Sequence, residues 1–550
     1  MNRAIWGFRR ILVTLAILAA ISHATTSCGH AQPGQDSAWW AHIRALASDD
    51  LRGRRTGTDD YRRAATYVAA AYREMGVDSL GSAGYFQEVP FVARTIDEPR
   101  CEVTLLPAEG APLRLRMGDD LTLQRGAALD RDLTADLVFV GYGVVAPEAK
   151  YDDLEWQDLK GKIAVYVSAG PKAVPDPLRA HIQFAAERWA RFRAAGAIGA
   201  LSIPNPSTME AGWARYVANR GLPGMALDDK ADHELTGQRF GGRVNPARAD
   251  SLFEGSQHTW EEIAALAKRG DALPTFDMPM RLRAHVEANT WRVRSPNVIG
   301  VIHGSDPTLR DEYVLITAHL DHLGVGAPVD GDSIYNGAMD NASGVATLLE
   351  VARALRKGPA PKRSVIIAAL TGEEEGLYGS AYFALHPLVP MARIVAELNV
   401  DMVLPIVPLE RMVVYGLNES TLGPRATEIA RRHGVETQKD PEPERNYFIR
   451  SDQYNLIRAG VPSLSFVTGC EPGTEAEATL KRWRHERYHA PSDDLDQPVD
   501  QAAAALWNEI LIDFVRDTAD RVEKPRWNAD SFFARFAKSP AKTNSRAARP

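Results

Sequence analysis

Beyond residue 297 the chain alternates short apolar runs with stretches in which apolar residues recur every three or four positions. The runs fall at 297–302, 313–317, 364–370, 393–399, 412–415 and 463–467, and the stretches between them include 342–356 and 452–458. A run without polar alternation has no face for water, whereas the three-to-four spacing marks amphipathic helices. The pattern predicts an α/β region: a mixed, mostly parallel sheet covered by helices on both faces. Near the start, Trp39, Ile43, Leu46 and Leu51, then Tyr67, Ala70, Tyr72 and Met75, also follow helical spacing. Between these groups Gly53-Arg54-Arg55-Thr56-Gly57-Thr58 is a turn-rich break. Stretches at 101–106 and 113–115 are β-rich, and 136–145 and 160–167 read as strands. A helix around 184–195 then leads into a further strand at 196–203. This strand–helix–strand block carries no cluster of reactive residues. It is expected to be a separate small domain that ends between residues 253 and 282. No internal repeat is present.

With 550 residues, one ordinary core is not enough, and two or more domains are expected. A net charge of −7 without a basic stripe excludes a nucleic-acid footprint. The N-terminus reads as an export signal over residues 1–31: Arg3, Arg9 and Arg10 precede an apolar run at 11–21, followed by small residues before Ala24 and Ala31. That run is shorter than the roughly 20 residues a membrane anchor needs, so no transmembrane anchor is expected after cleavage. A periplasmic or extracellular location follows. Cys28 leaves a lipoprotein anchor open, and Arg9-Arg10 a twin-arginine signal. Cys28, Cys101 and Cys470 are the only cysteines, so the mature chain has at most one disulfide. Residues 528–550, rich in Lys, Arg, Pro and Ser, are expected to be disordered.

The chemistry is concentrated in the α/β region. His319 follows an apolar strand; a neutral imidazole is a good zinc ligand once an acceptor holds its other ring nitrogen, and Asp321 is suited to that task. His322 reads as a neighbour of the site. Asp340 opens Asp340-Asn341-Ala342-Ser343-Gly344 before a helix and can bridge two cations with one oxygen each. A plain helix cap is the competing role, which Asn341 or Ser343 can fill instead. Glu373-Glu374-Glu375 ends a buried strand, where three carboxylates repel one another unless something positive is present. One of them can ligate a metal while the one before it faces the reacting water. Asp401 ends the strand at 393–399, and His489 lies in the Pro-containing loop Tyr488-His489-Ala490-Pro491. Each completes one ligand set.

In this order the motifs resemble those of the co-catalytic di-zinc aminopeptidase family (clan MH). Its relatives include secreted bacterial leucine aminopeptidases, glutamate carboxypeptidases, glutaminyl cyclases and the non-catalytic transferrin receptor. The resemblance spans about residues 36–527 and rests on Ala318-His319-Leu320-Asp321-His322, the stretch from Tyr335 to Gly344, that from Gly372 to Ser380, and that from Tyr488 to Asp494. It implies a zinc-exopeptidase (phosphorylase/hydrolase-like) fold and two zinc ions, with other divalent metals acceptable. By resemblance His319 and Asp401 hold one zinc, Glu374 and His489 hold the other, and Asp340 bridges. Glu373 is the general base, Asp321 completes the catalytic set, and the peptide bond after Asp340 is cis. The block at 126–280 looks like an inserted protease-associated domain, dividing an N-terminal part at 36–125 from the zinc peptidase domain at 281–527. The implied function is a secreted aminopeptidase acting on peptides with a free N-terminus. The alternatives are a carboxypeptidase or dipeptidase acting on acidic substrates, a glutaminyl-cyclase-like acyltransferase, and a binding protein without activity.

Two features depart from the family pattern. Ser451-Asp452-Gln453 stands where Ser-Asp-His is usual. Between Gly469 and Tyr488 lie extra residues with the basic run from Lys481 to Arg487, read as a loop. That loop is either a wall of the cleft that favours acidic substrates or a solvated excursion.

Overall fold

The computed structural model describes residues 37–537 apart from 210–211, 230–233 and 446. The expected signal segment and Cys28 lie outside the described residues. The main sheet has ten strands. Its path runs Gly224–Leu227, Phe86–Ile96, Ala288–Ile302, Ser364–Leu370, Tyr313–His319, Ile394–Val400, Ser463–Gly469, Arg411–Tyr415, Glu436–Gln438, with Asp78–Ser79 beside Ala288–Ile302. The four strands from Ser364–Leu370 to Ser463–Gly469 are parallel neighbours. Antiparallel pairs flank them on either side.

The apolar runs explain this placement. Along Ser364–Leu370, Val365, Ile367 and Ala369 pack with the helices Ala38–Leu46, Asp59–Glu74, Ser343–Lys357 and Gln501–Asp520. The alternate residues Ile366, Ala368 and Leu370 pack on the other face with Phe383 and Leu456 from the helices Tyr378–Leu385 and Gln453–Arg458. Both faces are therefore dry. The ends of three parallel strands carry or immediately precede His319, Glu373 and Asp401, so the site lies outside the carboxyl ends of the sheet, where crossover connections leave a crevice.

A second, eight-stranded sheet forms the inserted domain. It begins at the strand Glu102–Pro107 and closes with Thr275–His285, which pairs antiparallel with it, Met280 opposite Pro107. The insertion therefore starts before the expected residue 126, because the β-rich stretches beyond residue 101 belong to this sheet. The insertion also returns a strand to the other domain: Gly224–Leu227 adds to the edge of the main sheet beside Phe86–Ile96.

Two other expectations need revision. The segment between Gly469 and Tyr488 contains a helix, Glu475–Glu486. Thr474 caps it by accepting from the Glu477 amide, and Leu480 and Trp483, three apart, are its buried stripe. Residues 528–537 are packed, with Phe533 buried beside Ile449, Tyr454 and Ile457, because three aromatics in this basic segment find a hydrophobic seat. Cys101 and Cys470 are both free thiols. Among the described residues no helix is long and apolar enough to cross a membrane.

Candidate metal centre

The structure brings His319, Asp340, Glu374, Asp401 and His489 to one place. His319 Nε2 lies 3.2 Å from Asp340 Oδ1 and 3.3 Å from Asp401 Oδ1. His489 Nε2 lies 3.2 Å from Asp340 Oδ2 and 3.2 Å from Glu374 Oε2. Asp340 thus offers one oxygen to each group. Zinc–ligand bonds of about 2.0 Å at tetrahedral angles put neighbouring donor atoms about 3.3 Å apart. The four separations match that edge length and exceed the 2.7–2.9 Å or so expected of a charge-assisted hydrogen bond. His322 Nδ1 sits 2.7 Å from Glu374 Oε1, within ligating range of the same group, off the direction of a hydrogen bond. The second group therefore offers one imidazole more than the sequence assigned to it.

Local chemistry explains why these side chains are free for a metal. Asn341 Oδ1 accepts the Gly344 amide at 3.0 Å, and Asn341 Nδ2 donates to Val400 O at 2.8 Å. Asn341 thereby takes the capping role and ties the helix start to the strand before Asp401, leaving the Asp340 carboxylate uncommitted. The Asp340–Asn341 peptide bond is cis. Burial pushes the Asp340 carboxyl up, but contacts with His319 and His489 outweigh it and hold it well below the usual range. Gly337 has φ +61°, and a Cβ there would lie 2.1 Å from Asp340 O and 2.5 Å from His322 Cγ, so only glycine fits. Met402, Leu404 and His489 occupy the left-handed region at φ +57°, +49° and +54°. Strained non-glycine backbone of this kind concentrates at sites whose surroundings over-determine it.

Asp321 acts differently from the expectation. His319 Nδ1 meets the backbone carbonyl of Asp321 at 3.1 Å, not its carboxylate. The carboxylate instead accepts Thr56 Oγ1 at 2.9 Å, the Glu373 amide at 3.2 Å and the Glu374 amide at 3.3 Å. It fixes the turn that carries the candidate base and a candidate ligand. The third glutamate is accounted for as well: Glu375 pairs with Arg55 at 2.6 Å, so a guanidinium supplies part of the positive charge the triplet requires.

The turn-rich break at 53–58 is thus part of the site, which sequence reading missed. Fully buried Arg54 donates to the carbonyls of Leu320 at 2.7 Å, Leu46 at 3.1 Å, Gly337 at 2.7 Å and Asn336. Burial lowers its pKa to about 10, so it remains charged near neutrality. Asp493, quoted only as part of a motif, accepts the amides of Met339 and Asp340 at 3.0 Å each. The available signal was charge balance: two arginines on a short loop in a chain with an unexplained acidic triplet. Gln453, at the atypical position, is buried; it accepts from Asn399 at 2.8 Å and donates to Phe448 O at 3.1 Å. It fastens the cleft-lining segment Tyr447–Ile449 to the strand that ends at Asp401.

An open cleft leads away from the metal groups. It is lined by Glu373 and Asp401, by the apolar Met402, Leu404, Val467 and Leu480, and by Tyr415, Tyr447, Arg450 and Arg484. Arg484 is paired with Glu442 at 2.8 Å. Burial pushes the Glu373 carboxyl well above the usual range; His319 opposes this, and Asp401 and Glu374 add to it.

Residues 297–515 match the family model described as Peptidase family M28. A probable zinc metalloprotease of Pyrenophora tritici-repentis (strain Pt-1C-BFP) is 32% identical over 168 residues, 30% of this chain and 34% of that protein. Aminopeptidase NAALADL1 of Mus musculus is 40% identical over 114 residues, 20% of this chain and 13% of its own. The chain therefore spans about a third of the first relative's length and less of the second's. The solved aminopeptidase from Aneurinibacillus sp. strain AM-1 has a similar fold, with a TM-score of 0.52 at 19% identity over 88% of this chain and 94% of that one. The matched segment contains both candidate metal groups and Glu373.

Proposed function

We propose that this protein is a di-zinc aminopeptidase that removes N-terminal residues from peptides. One observation carries the reading: two His–carboxylate groups share Asp340, with donor atoms at the spacing of a tetrahedral ion. When bound, two zinc ions would act as Lewis acids on the scissile carbonyl and make water acidic enough to attack it. His319 and Asp401 would hold one ion, Glu374 and His489 the other, and Asp340 both. Glu373 takes the proton of the attacking water and delivers it to the leaving amine. A cationic α-amine is attracted to the carboxylate-rich end of the cleft, at Asp340, Glu373 and Asp401, and the walls of Met402, Leu404, Val467 and Leu480 suit an apolar side chain. The inserted sheet serves as a protease-associated domain and the N-terminal segment as an export signal.

The presence of Arg450 and Arg484 at the cleft supports a second reading, capture of a substrate carboxylate by a carboxypeptidase. The Arg484–Glu442 pair weakens it. The test is a panel of aminoacyl-4-nitroanilides, each with free and acetylated amine, on zinc-loaded protein. Turnover that requires the free amine supports the aminopeptidase reading. Turnover of N-blocked peptides with a free C-terminus refutes it. Glu373→Gln is expected to keep both metals and lose most turnover, by roughly 100-fold or more for removal of a general base.

A further inference from the structure

One side chain of the inserted domain reaches the loop that carries His489. Arg215 lies on the short helix Trp213–Val217 of the insertion. Its guanidinium donates to His485 O at 2.5 Å and to Tyr488 O. The first is a carbonyl in the last turn of the helix Glu475–Glu486, where backbone acceptors lack intrahelical donors. The second belongs to the peptide unit that joins Tyr488 to His489, so the hydrogen bond fixes the plane from which the candidate ligand projects. His489 needs such support. Its φ of +54° is unfavourable for a residue with a side chain, and its imidazole must reach both Asp340 and Glu374. The Tyr488 ring stacks on that imidazole, with centroids 3.9 Å apart and planes at 24°. With the peptide plane held by Arg215 and the ring face held by Tyr488, little freedom remains at His489.

We propose that Arg215 is a positioning residue for His489, so that the inserted domain sets the affinity and geometry of the Glu374–His489 metal group. The inference rests on the metal reading of His489 given above. Other links dock the same part of the insertion without touching the His489 loop, and they provide a control. Asn219 Oδ1 accepts the Ala327 amide at 2.9 Å, and Arg55 donates to Pro223 O.

The experiment uses the full chain as wild type, Arg215→Ala, Arg215→Lys and Asn219→Ala. Zinc affinity is read by competition with a chromophoric chelator, coordination by the visible spectrum of the cobalt(II)-loaded protein, and folding by Tm. Losing a group that orients a ligand typically weakens metal binding about 10- to 100-fold. Arg215→Ala is expected to lose at least about tenfold in affinity for one of two metals and to change the cobalt spectrum. Arg215→Lys, able to serve one carbonyl, falls between it and wild type, and Asn219→Ala matches wild type. Wild-type affinities and spectrum in Arg215→Ala overturn the proposal while leaving the di-metal reading intact. An equal loss in Asn219→Ala also overturns it, because docking alone would then account for the effect. Fewer than two metals on the wild-type protein would overturn both.

Discussion

Asp321→Asn separates two roles for one carboxylate. If the side chain oriented His319, the variant would weaken the His319–Asp401 metal group. The structure assigns that orientation to the Asp321 backbone carbonyl, which the substitution keeps. What the variant loses is an acceptor. Asp321 Oδ2 serves Thr56 Oγ1 and the Glu374 amide, and Oδ1 serves the Glu373 amide. Asparagine has one acceptor oxygen, which best replaces Oδ2, and its NH2 then faces the Glu373 N–H. One hydrogen bond to a charged group is lost and a buried donor is left unpaired, a cost of about 1.5–3 kcal/mol. The two surviving bonds become neutral and weaken by roughly 0.5–1 kcal/mol each. Relief of the buried charge offsets part of this, since burial already raises the Asp321 pKa. A net loss of about 2 kcal/mol remains, and it falls on the turn that presents Glu373. If that loss is expressed fully in the reacting geometry, kcat drops about 30-fold. The assay is turnover on the best aminoacyl-nitroanilide at saturating zinc, with metal content measured in parallel. Two bound metals with kcat reduced by a factor of about 10–50 is the expected result. Unchanged kcat with weakened binding at the His319–Asp401 group would refute the reasoning and restore the side chain to the role first read from the sequence.

Other perturbations test the support of the site and its surroundings. Arg54→Met strands carbonyls that now accept from one buried guanidinium and should lower unfolding free energy by about 3–5 kcal/mol, read by urea titration. His181, on the helix Asp176–Gln183 of the inserted domain, packs against the C-terminal segment, bonded to Tyr454 and in tilted and edge-on contact with Phe532 and Phe536, and burial pushes its pKa down to about 4. The folded pKa lies below the unfolded value of about 6.5, so the unfolded chain binds the extra proton and stability is lost as pH falls from about 6.5 towards 4. The loss is about 2 kcal/mol between pH 7.5 and 5 for this group, and His181→Gln should remove that share of the wild-type pH dependence of unfolding. Exhaustive chelation should lower Tm and re-addition of zinc restore it, since a ligand at 1,000 times its Kd stabilises by about 4 kcal/mol; an unchanged Tm would count against a resident metal.

The parts of this molecule that were legible in the sequence share a physical cause. The runs at 313–317, 364–370 and 393–399 became strands at nearly those positions, because a strand buried on both faces admits little but aliphatic residues. His319, Asp340, Glu374, Asp401 and His489 stood out because each follows such a strand or sits at a turn, where a polar residue needs a reason. Supporting residues gave no such signal. Arg54 and Thr56 contact Leu320 and Asp321 across more than 260 positions, and neither alternation nor spacing along the chain encodes a contact of that kind. Arg215 was hidden for the same reason, inside a domain read as having no part in the chemistry. The helix Glu475–Glu486 was hidden by its charges: its lysine and arginines drew attention to electrostatics, whereas Thr474 and the pair Leu480 and Trp483 were the informative residues.

The electrostatics of the centre tie these supports to the metals. Asp321, Asp340, Glu373, Glu374, Glu375, Asp401, Asp452 and Asp493 bring eight carboxylates into one buried or half-buried region. Arg54 and Arg55 return two positive charges, leaving a net charge of −6 when the histidines are neutral and every carboxylate is ionised. Two divalent ions would reduce this to about −2, whereas the protein alone has to take up protons or tolerate repulsion at low dielectric. Burial drives the Asp321, Glu373 and Glu375 carboxyls up and neighbouring carboxylates add to it, while His319 is driven up by Asp401 and Glu373 against the effect of its own burial. A rigid scaffold is then required, because a loose cluster would relieve the repulsion by spreading apart. The Arg54 contacts, the Asp493 bonds to the backbone at Met339 and Asp340, and the Asp321 bonds to Glu373 and Glu374 oppose that spreading. They hold backbone atoms rather than the candidate ligand oxygens, which leaves those oxygens available to metal ions.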